Sequence, residues 1–320
     1  MTFSANVPQP AGWPMLGVVT VTFNAEDYLS PFLTCCLAQQ ACDFELLIID
    51  NASSDRTLET VRRFVDSRIN VLANNDNVGY SAACNQGVRH FARLGVNELL
   101  FINNDTEFDV ELFATLIAQR RIYHANAVTP RITYFGDPAR DWYAGGQFIF
   151  WKGFQGAHLQ SSNRQSDALQ APQWTEVAPG CCVLFALNTF EQIGLFDPAY
   201  FVYFEDTDFF LRMRRAGLRL LYLPRTTVAH KISLSTGGPQ SDFSIRYHQR
   251  NQIYALRKHF SRSVLLMQLA ILFAKATLRR LLGRDDSHQY LLRLRSMREG
   301  FLMSLPQSDG RIEPLPRQPH

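Results

Sequence analysis

The carboxylates and carboxamides of this chain fall where chemistry could use them. Asn24, Asp50-Asn51, Asn74 to Asn77 and Asn103-Asn104-Asp105 each close a short apolar run, and Glu205-Asp206-Thr207-Asp208 sets three carboxylates within four residues. A carboxylate at a strand end can accept the N3 proton of a pyrimidine ring, or bind a hard divalent cation that neutralises a diphosphate. Three carboxylates this close repel one another, and burial raises at least one pKa toward general-base behaviour. The same acids also suit the N-terminal turn of a helix, where Asp208 could pair with Arg212 one turn on. Neither G-x-G-x-x-G after an apolar run nor G-x-x-x-x-G-K-[ST] occurs, which demotes dinucleotide-dependent hydride transfer and P-loop phosphoryl transfer.

The elements that must carry these residues follow from the hydrophobic pattern. Apolar runs at Leu16–Phe23, Phe44–Asp50, Ile69–Leu72 and Leu99–Asn103 alternate with helical periods at about Asp27–Gln39, Asp55–Val65, Tyr80–Arg93 and Val110–His124. Continuous apolar strands interleaved with helices predict an α/β fold whose mostly parallel sheet is covered on both faces. Ligands of such sheets gather beyond the carboxyl ends of the strands, which is where the polar clusters stand. After about Ala127 the pattern shifts to shorter strands and Gly-rich turns, with a polar loop near Ser161–Gln173. A strand is predicted at Gly180–Phe185, a short helix at Thr189–Ile193, a helix at Glu205–Arg215, and a strand at Leu218–Leu223 closed by Pro224. Ser233–Gly238 reads as a mobile loop of small residues, and the chain is helical from about Phe243 to Ser304. The expected organisation is a flexible lead (1–15), a nucleotide-binding domain (16–240, with a donor half at 16–126 and an acceptor half at 127–240), a basic helical extension (241–304) and a disordered tail (305–320).

With 46% hydrophobic and 19% charged residues among 320, the chain has enough apolar surface to offset its ordering entropy. A net charge of +3 is too small to argue for nucleic acid, but it is unevenly placed: residues 246–320 hold 14 Lys and Arg against 5 Asp and Glu, so a body of −6 carries a tail of +9. The six cysteines show neither zinc spacing nor a disulfide framework and read as reduced, cytoplasmic and mostly buried. The opening residues lack the apolar core of a secretory signal. Val264–Ala274 is nearly all apolar, yet its 11 residues fall short of the roughly 20 that cross a bilayer. Basic residues bracket it at Arg257, Lys258, Arg262, Lys275, Arg279, Arg280 and Arg284. Segment 257–284 could therefore lie on the cytoplasmic face of the inner membrane, or pack as an interface in a homo-oligomer.

Val19-Thr-Val-Thr-Phe-Asn24, Ile49-Asp-Asn-Ala-Ser-Ser-Asp55, Asn77-Val-Gly-Tyr-Ser-Ala-Ala-Cys-Asn-Gln-Gly87, Phe101-Ile-Asn-Asn-Asp-Thr106, Gly194-Leu-Phe-Asp197, Tyr203-Phe-Glu-Asp-Thr-Asp208, His230 and Arg250-Asn251 stand in this order. Together they resemble the family 2 glycosyltransferases of the GT-A fold, particularly the rhamnosyltransferase-like branch, over about Leu16 to Phe260. The resemblance implies a GT-A sheet with a C-terminal helical extension. It also implies inverting, metal-dependent transfer of a sugar onto a glycan or lipid-linked saccharide in cell-surface polysaccharide biosynthesis. The implied donor is dTDP-L-rhamnose, with UDP-hexose or UDP-galactofuranose as alternatives. By the same likeness Asp50, with Asn51 and Asp55, meets the pyrimidine base; Thr22, Asn24, Asn77, Gly79, Asn85, Asn104 and Arg250 belong to the nucleotide-sugar site. Asp105 and His230 would hold Mg2+ or Mn2+, and Asp206 would be the base, with Glu205 next. Local alternatives stand beside these roles: an N-cap for Asp55, backbone bonding for Asn85, a structural histidine at 230, and helical surface charge at Arg250. Two other classes remain. A non-catalytic nucleotide-sugar-binding scaffold would keep the fold, and a nucleotidyltransferase would want a Gly-rich basic loop that Phe23-Asn-Ala-Glu26 does not offer.

Overall fold

The four leading apolar runs each form a strand, alternating with helices; three of them are buried on both faces or nearly so, and the third in chain order, Ile69–Ala73, ends the sheet with Asn70, Val71 and Ala73 exposed. The strands and helices are β1 (Leu16–Thr22), α1 (Leu29–Leu37), β2 (Phe44–Asp50), α2 (Thr57–Arg62), β3 (Ile69–Ala73), α3 (Tyr80–Arg93), β4 (Glu98–Ile102), β5 (Thr106–Phe108) and α4 (Leu112–Ile122). The computed structural model describes residues 16–149, 153, 155–158, 170–231, 238 and 240–306. The expected lead at 1–15, the polar loop at 161–169, most of the Ser233–Gly238 stretch and the tail beyond 306 lie outside the described residues. β3, β2, β1 and β4 are hydrogen-bonded in that order, all parallel, with Thr22 opposite Asp50 and Val19 opposite Phe101. Parallel register puts the carboxyl ends of β1, β2 and β4 on one edge of the sheet. Gly87 lets α3 sit close over that sheet, since a Cβ there would stand 2.7 Å from the Val19 methyl groups.

The second half extends the same sheet. It contributes β6 (Ala127–Tyr134), β7 (Asp137–Tyr143), β8 (Gly146–Ile149), β9 (Gln155–His158), β10 (Gln173–Thr175), β11 (Cys182–Ala186), α5 (Leu187–Ile193), α6 (Glu205–Arg215) and β12 (Leu220–His230). The sheet order is β10-β12-β6-β11-β4-β1-β2-β3, with β5 beside β12 and β7 beside β6, while β8 and β9 pair separately. β11 runs antiparallel between β4 and β6, and β12 runs parallel to β6. The α/β class and flanking helices are as expected; the parallel pairing is concentrated in the first half.

One boundary differs from the sequence reading in a way that matters. Pro224 does not close the last strand. β12 continues through it to His230, with a register shift against β6 between Leu223 and Thr227. Proline cannot donate to a ladder and is tolerated where pairing is locally broken, so the irregularity absorbs it. The continuation pairs His230 with Thr106 of β5, a strand too short to read from sequence.

The helical C-terminal part is three helices: α7 (Asp242–His259), α8 (Arg262–Leu281) and α9 (Ser287–Leu302). Ser241 and Ser261 cap α7 and α8 through Ser244 N and Val264 N, and Asp286 with Gln289 forms a capping box on α9. These helices share a small apolar cluster of Ile253, Leu256, Leu265, Leu272, Ala276 and Met297, distinct from the main core around the sheet.

Candidate active site

Asp50 ends β2 almost fully buried, and its cost is met by three donors. Thr22 Oγ1 lies 2.9 Å from Oδ1, Ser53 Oγ 2.6 Å from Oδ1, and Ser53 N 3.0 Å from Oδ2. A carboxylate offers about four acceptor positions, so one further donor can be taken, as a pyrimidine N3–H would be. Thr22 thus positions Asp50. Asn51 is held by Asn74 at 2.9 Å and donates to Gly79 O at 3.3 Å. Asn24, at φ 50°, ties its loop to the next through Ser53 Oγ and Ser54 N. Asp55 accepts from Glu26 N, Thr57 N and Thr57 Oγ1. Burial would raise its pKa, but the bonds from Thr57 and Glu26 outweigh that and hold it below the usual carboxylate value.

Asn77 Oδ1 accepts from Gly79 N at 3.0 Å, which shapes the entry to α3. Gly79 has φ +84°, and a Cβ there would meet the Phe201 ring at 2.5 Å and its carbonyl oxygen at 2.7 Å. The space is needed because the Phe201 carbonyl accepts from Tyr80 N at 2.6 Å and Ser81 N at 3.4 Å, capping α3. Asn85 is clamped to Phe196, donating to its oxygen at 2.8 Å and accepting from its nitrogen at 3.0 Å.

After β4, Asn104 donates to Val21 O at 2.5 Å, locking the turn against β1. Asp105 follows, and His230 at the end of β12 brings Nε2 to 3.1 Å from Asp105 Oδ1. Both residues are buried; Asp105 Oδ1 makes this contact to Nε2 without hydrogen-bond geometry, and His230 Nδ1 has no hydrogen-bond partner. The Trp142 ring packs edge-on to His230 at 4.8 Å. Buried polar atoms without partners are uncommon and ask for an explanation. One carboxylate and one imidazole suit a hard divalent cation that completes its shell with phosphate oxygens and water. Among the described residues no group of three or more His, Cys, Asp or Glu is placed to hold a metal, so these two would be the protein's share.

Across the sheet edge, Asn103 N donates to Cys181 O at 2.8 Å, and Tyr80 Oη donates to Gly180 O at 2.9 Å and stands 3.4 Å from Asn103 Oδ1. Burial pushes the Cys181 thiol up, and the nearby Cys182, Asp105 and Asp206 add to the push. Glu205 opens α6 beside Gly180 and Tyr80, with Oε2 unpartnered. Burial holds its carboxyl well above the ordinary glutamate value, and the neighbouring Asp206 charge adds to this. The raised pKa expected of the acidic cluster therefore falls on Glu205, while Asp206 is the more exposed carboxylate beside it. Asp208 is separate: it bonds Arg212 at 2.8 Å, Lys258 at 2.7 Å, His259 at 2.6 Å and Tyr200 Oη at 3.1 Å. Burial opposes its charge, but Arg212, His259 and Lys258 hold its pKa well below normal.

The structure thus gathers Thr22, Asp50, Asn51, Gly79, Asn104, Asp105, Glu205, Asp206 and His230 along one edge. It occupies the polar atoms of three other expected donor contacts internally: Asp55, Asn85 and Arg250. Arg250 is neither surface charge nor open to a ligand; it is 9% exposed and donates to Ala199 O, Tyr200 O and Asn251 Oδ1. Asn251 donates to the carbonyls of Tyr200, Val202 and Tyr203. Together they hold the segment leading into Glu205-Asp206, where Phe201, Tyr203 and Phe204 all have positive φ. Tyr80 and Asn251 lay within the quoted motifs without a role of their own, and Trp142 carried no sequence signal.

The profile of glycosyl transferase family 2 matches residues 17–194. An N-acetylglucosaminyl-diphospho-decaprenol L-rhamnosyltransferase of Mycobacterium tuberculosis is 26% identical over 77% of this chain and 85% of its own length. The low-salt glycan biosynthesis hexosyltransferase Agl10 of Haloferax volcanii is 24% identical over 69% of each chain. Among solved structures, GalNAc-T7 with UDP, GalNAc and Mn2+ superposes with a TM-score of 0.61 at 16% identity, over 88% of this chain and 55% of that one, so this chain spans about half of it. S. aureus TarS 1–349 in complex with UDP gives 0.56 at 14% identity, over 89% and 80%. The structural likenesses establish a GT-A fold.

Proposed function

The chain belongs to glycosyl transferase family 2, and on that premise we propose that it transfers L-rhamnose from dTDP-L-rhamnose to a lipid-linked saccharide in cell-surface polysaccharide biosynthesis, inverting the anomeric centre in one displacement. The observation that carries this reading is the convergence of Asp50, the Asp105–His230 pair and Glu205-Asp206 on one edge of the sheet. The mycobacterial relative, named for an L-rhamnosyl transfer and a diphospho-decaprenol saccharide, supports the rhamnosyl group and the lipid-linked acceptor. UDP-linked hexoses are the alternative donors.

Asp50, held by Thr22 and Ser53, accepts the pyrimidine N3–H. Asp206 takes the proton of the acceptor hydroxyl as its oxygen forms the new bond to the anomeric carbon and the bond to the nucleoside diphosphate breaks. Burial and the neighbouring Asp206 charge raise the Glu205 carboxyl well above its ordinary value, which favours its neutral form beside Asp206. Asp105 and His230 would hold Mg2+ or Mn2+, which when bound offsets charge on the departing diphosphate. No nucleophile is needed for a single displacement.

A thermal-shift panel of dTDP-rhamnose, UDP-glucose and UDP-galactofuranose with and without Mn2+ tests the donor, because a ligand of the folded state raises its melting temperature. A response selective for dTDP-rhamnose is expected. Asp206→Asn should keep that response and lose about 10²–10⁴ in transfer rate. Silence toward every pyrimidine nucleotide, or undiminished transfer by the variant, overturns the assignment.

A further inference from the structure

Helix α8 is apolar on two opposite faces, and the fold uses only one. Leu265, Gln268, Leu272 and Ala276 turn inward, where the leucines and alanine meet Ile253 and Leu256 of α7 and Met297 of α9. Leu266, Met267, Phe273, Leu278 and Leu281 are exposed, Leu281 by 78% and Leu266 by 66%. At 3.6 residues per turn these five, with Ala270 and Ala274 between them and the half-buried Thr277 as a polar member, form one outer stripe opposite the packed face. Solvent is a poor neighbour for such a stripe, and contiguous exposed apolar patches mark interaction sites.

The charges along its borders identify the occupant. Arg262 and Arg280, about five turns apart, stand on one edge of the stripe and Lys275 on the other, all exposed, with Arg284 just beyond the helix. From Arg262 through Arg284 there is no acidic residue. A two-fold contact between copies would set the stripe on itself and bring both sets of basic residues together without a carboxylate to pair them, which is unfavourable. An anionic bilayer surface answers both features: acyl chains receive the leucines and phenylalanine, and lipid phosphates receive the basic edges. Among the described residues no helix is long and apolar enough to cross a membrane, so the contact is lateral.

We infer that α8 lies flat on an anionic lipid bilayer and docks the enzyme there through Leu266, Met267, Phe273, Leu278 and Leu281, with Arg262, Lys275 and Arg280 on the phosphate layer. This stands on α8 alone and does not require the donor assignment above.

The test is co-sedimentation of the full chain with vesicles of phosphatidylcholine alone and of phosphatidylcholine mixed with phosphatidylglycerol. Binding should favour the mixed vesicles by about tenfold or more and weaken as salt rises. Leu278→Asp with Leu281→Asp should reduce binding about tenfold or more. Arg262→Glu with Lys275→Glu should abolish the preference for anionic vesicles. Both pairs change exposed positions, so circular dichroism and the nucleotide-induced thermal shift should match those of the unaltered protein. Equal binding to both vesicle types, no binding, or binding indifferent to both double variants overturns the inference. So does a concentration-dependent dimer, seen by sedimentation velocity, that Leu278→Asp with Leu281→Asp disperses while vesicles have no effect. Vesicle binding without any nucleotide response would sink only the proposed activity.

Discussion

Replacing Asn251 by alanine separates the placement of Asp206 from its chemistry. The Asn251 amide nitrogen lies 2.8 Å from Tyr200 O, 2.7 Å from Val202 O and 2.8 Å from Tyr203 O, fully buried on α7. After truncation the Tyr200 carbonyl keeps Arg250 Nη2 at 2.8 Å, so the loss falls on the carbonyls of Val202 and Tyr203 and on Arg250 Nε, which gives up its 2.8 Å bond to Asn251 Oδ1. A buried group deprived of its partner costs about 1–3 kcal/mol; the part-buried carbonyls of Val202 and Tyr203 fall at the low end of that and the buried Arg250 Nε higher, for about 2–6 kcal/mol in all. The segment they belong to is strained: φ is 64° at Phe201, 64° at Tyr203 and 72° at Phe204. Such conformations cost on the order of 1–3 kcal/mol each outside glycine. The amide contacts and the strain are therefore of similar size, and removing the contacts lets 200–204 relax before a chain of about 5–15 kcal/mol total stability unfolds. Asp206 then spends most of its time out of place. In a transfer assay kcat should fall at least about tenfold while the donor KM moves by less than about threefold, the signature of an interaction needed only at the transition state. Circular dichroism should remain native. A kcat within about threefold of the unaltered enzyme, with the melting temperature lowered, would show that Asn251 braces the fold and nothing more.

Two further outcomes follow from the buried acids. Glu205, raised by burial and by Asp206, favours its protonated form in the folded state; the stability this contributes is complete below the unfolded glutamate pKa and is lost as pH rises toward the folded one. Glu205→Gln should therefore melt with the unaltered protein near pH ~4 and above it near pH ~8; melting curves that differ by the same amount at both would refute the assignment. Asp208→Asn leaves Arg212, Lys258 and His259 without their shared carboxylate and should cost about 3–5 kcal/mol. Because the Asp208 pKa is depressed, its contribution is present above the unfolded aspartate value and fades in acid, so the gap in denaturant midpoint should close as pH falls through the folded value. An unchanged midpoint at neutral pH would contradict the network.

The parallel core of the sheet was legible because each strand is a continuous aliphatic run bounded by polar residues, a pattern set by local side-chain chemistry. So were the acids at strand ends, since Asp50 and Asp105 interrupt apolar runs where a charge is tolerated only at an edge. Pro224 misled because a proline inside a strand usually ends it, and only pairing to β6 on both sides of the break shows that β12 continues. β5 is three residues long and carries no periodicity of its own. Arg250 and Asp55 were identified by type and place in a motif; their hydrogen bonds depend on which carbonyls and amides fold against them.

The α/β layering, the residue types at the strand ends and the basic, apolar character of α8 are local properties, readable from neighbours within a few positions. Long-range packing sets His230 beside Asp105, buries Glu205 while leaving Asp206 more exposed, and leaves the outer stripe of α8 uncovered. Each of those depends on residues scores of positions apart meeting in space, where burial and the sum of nearby charges, rather than residue type, set what a side chain can do.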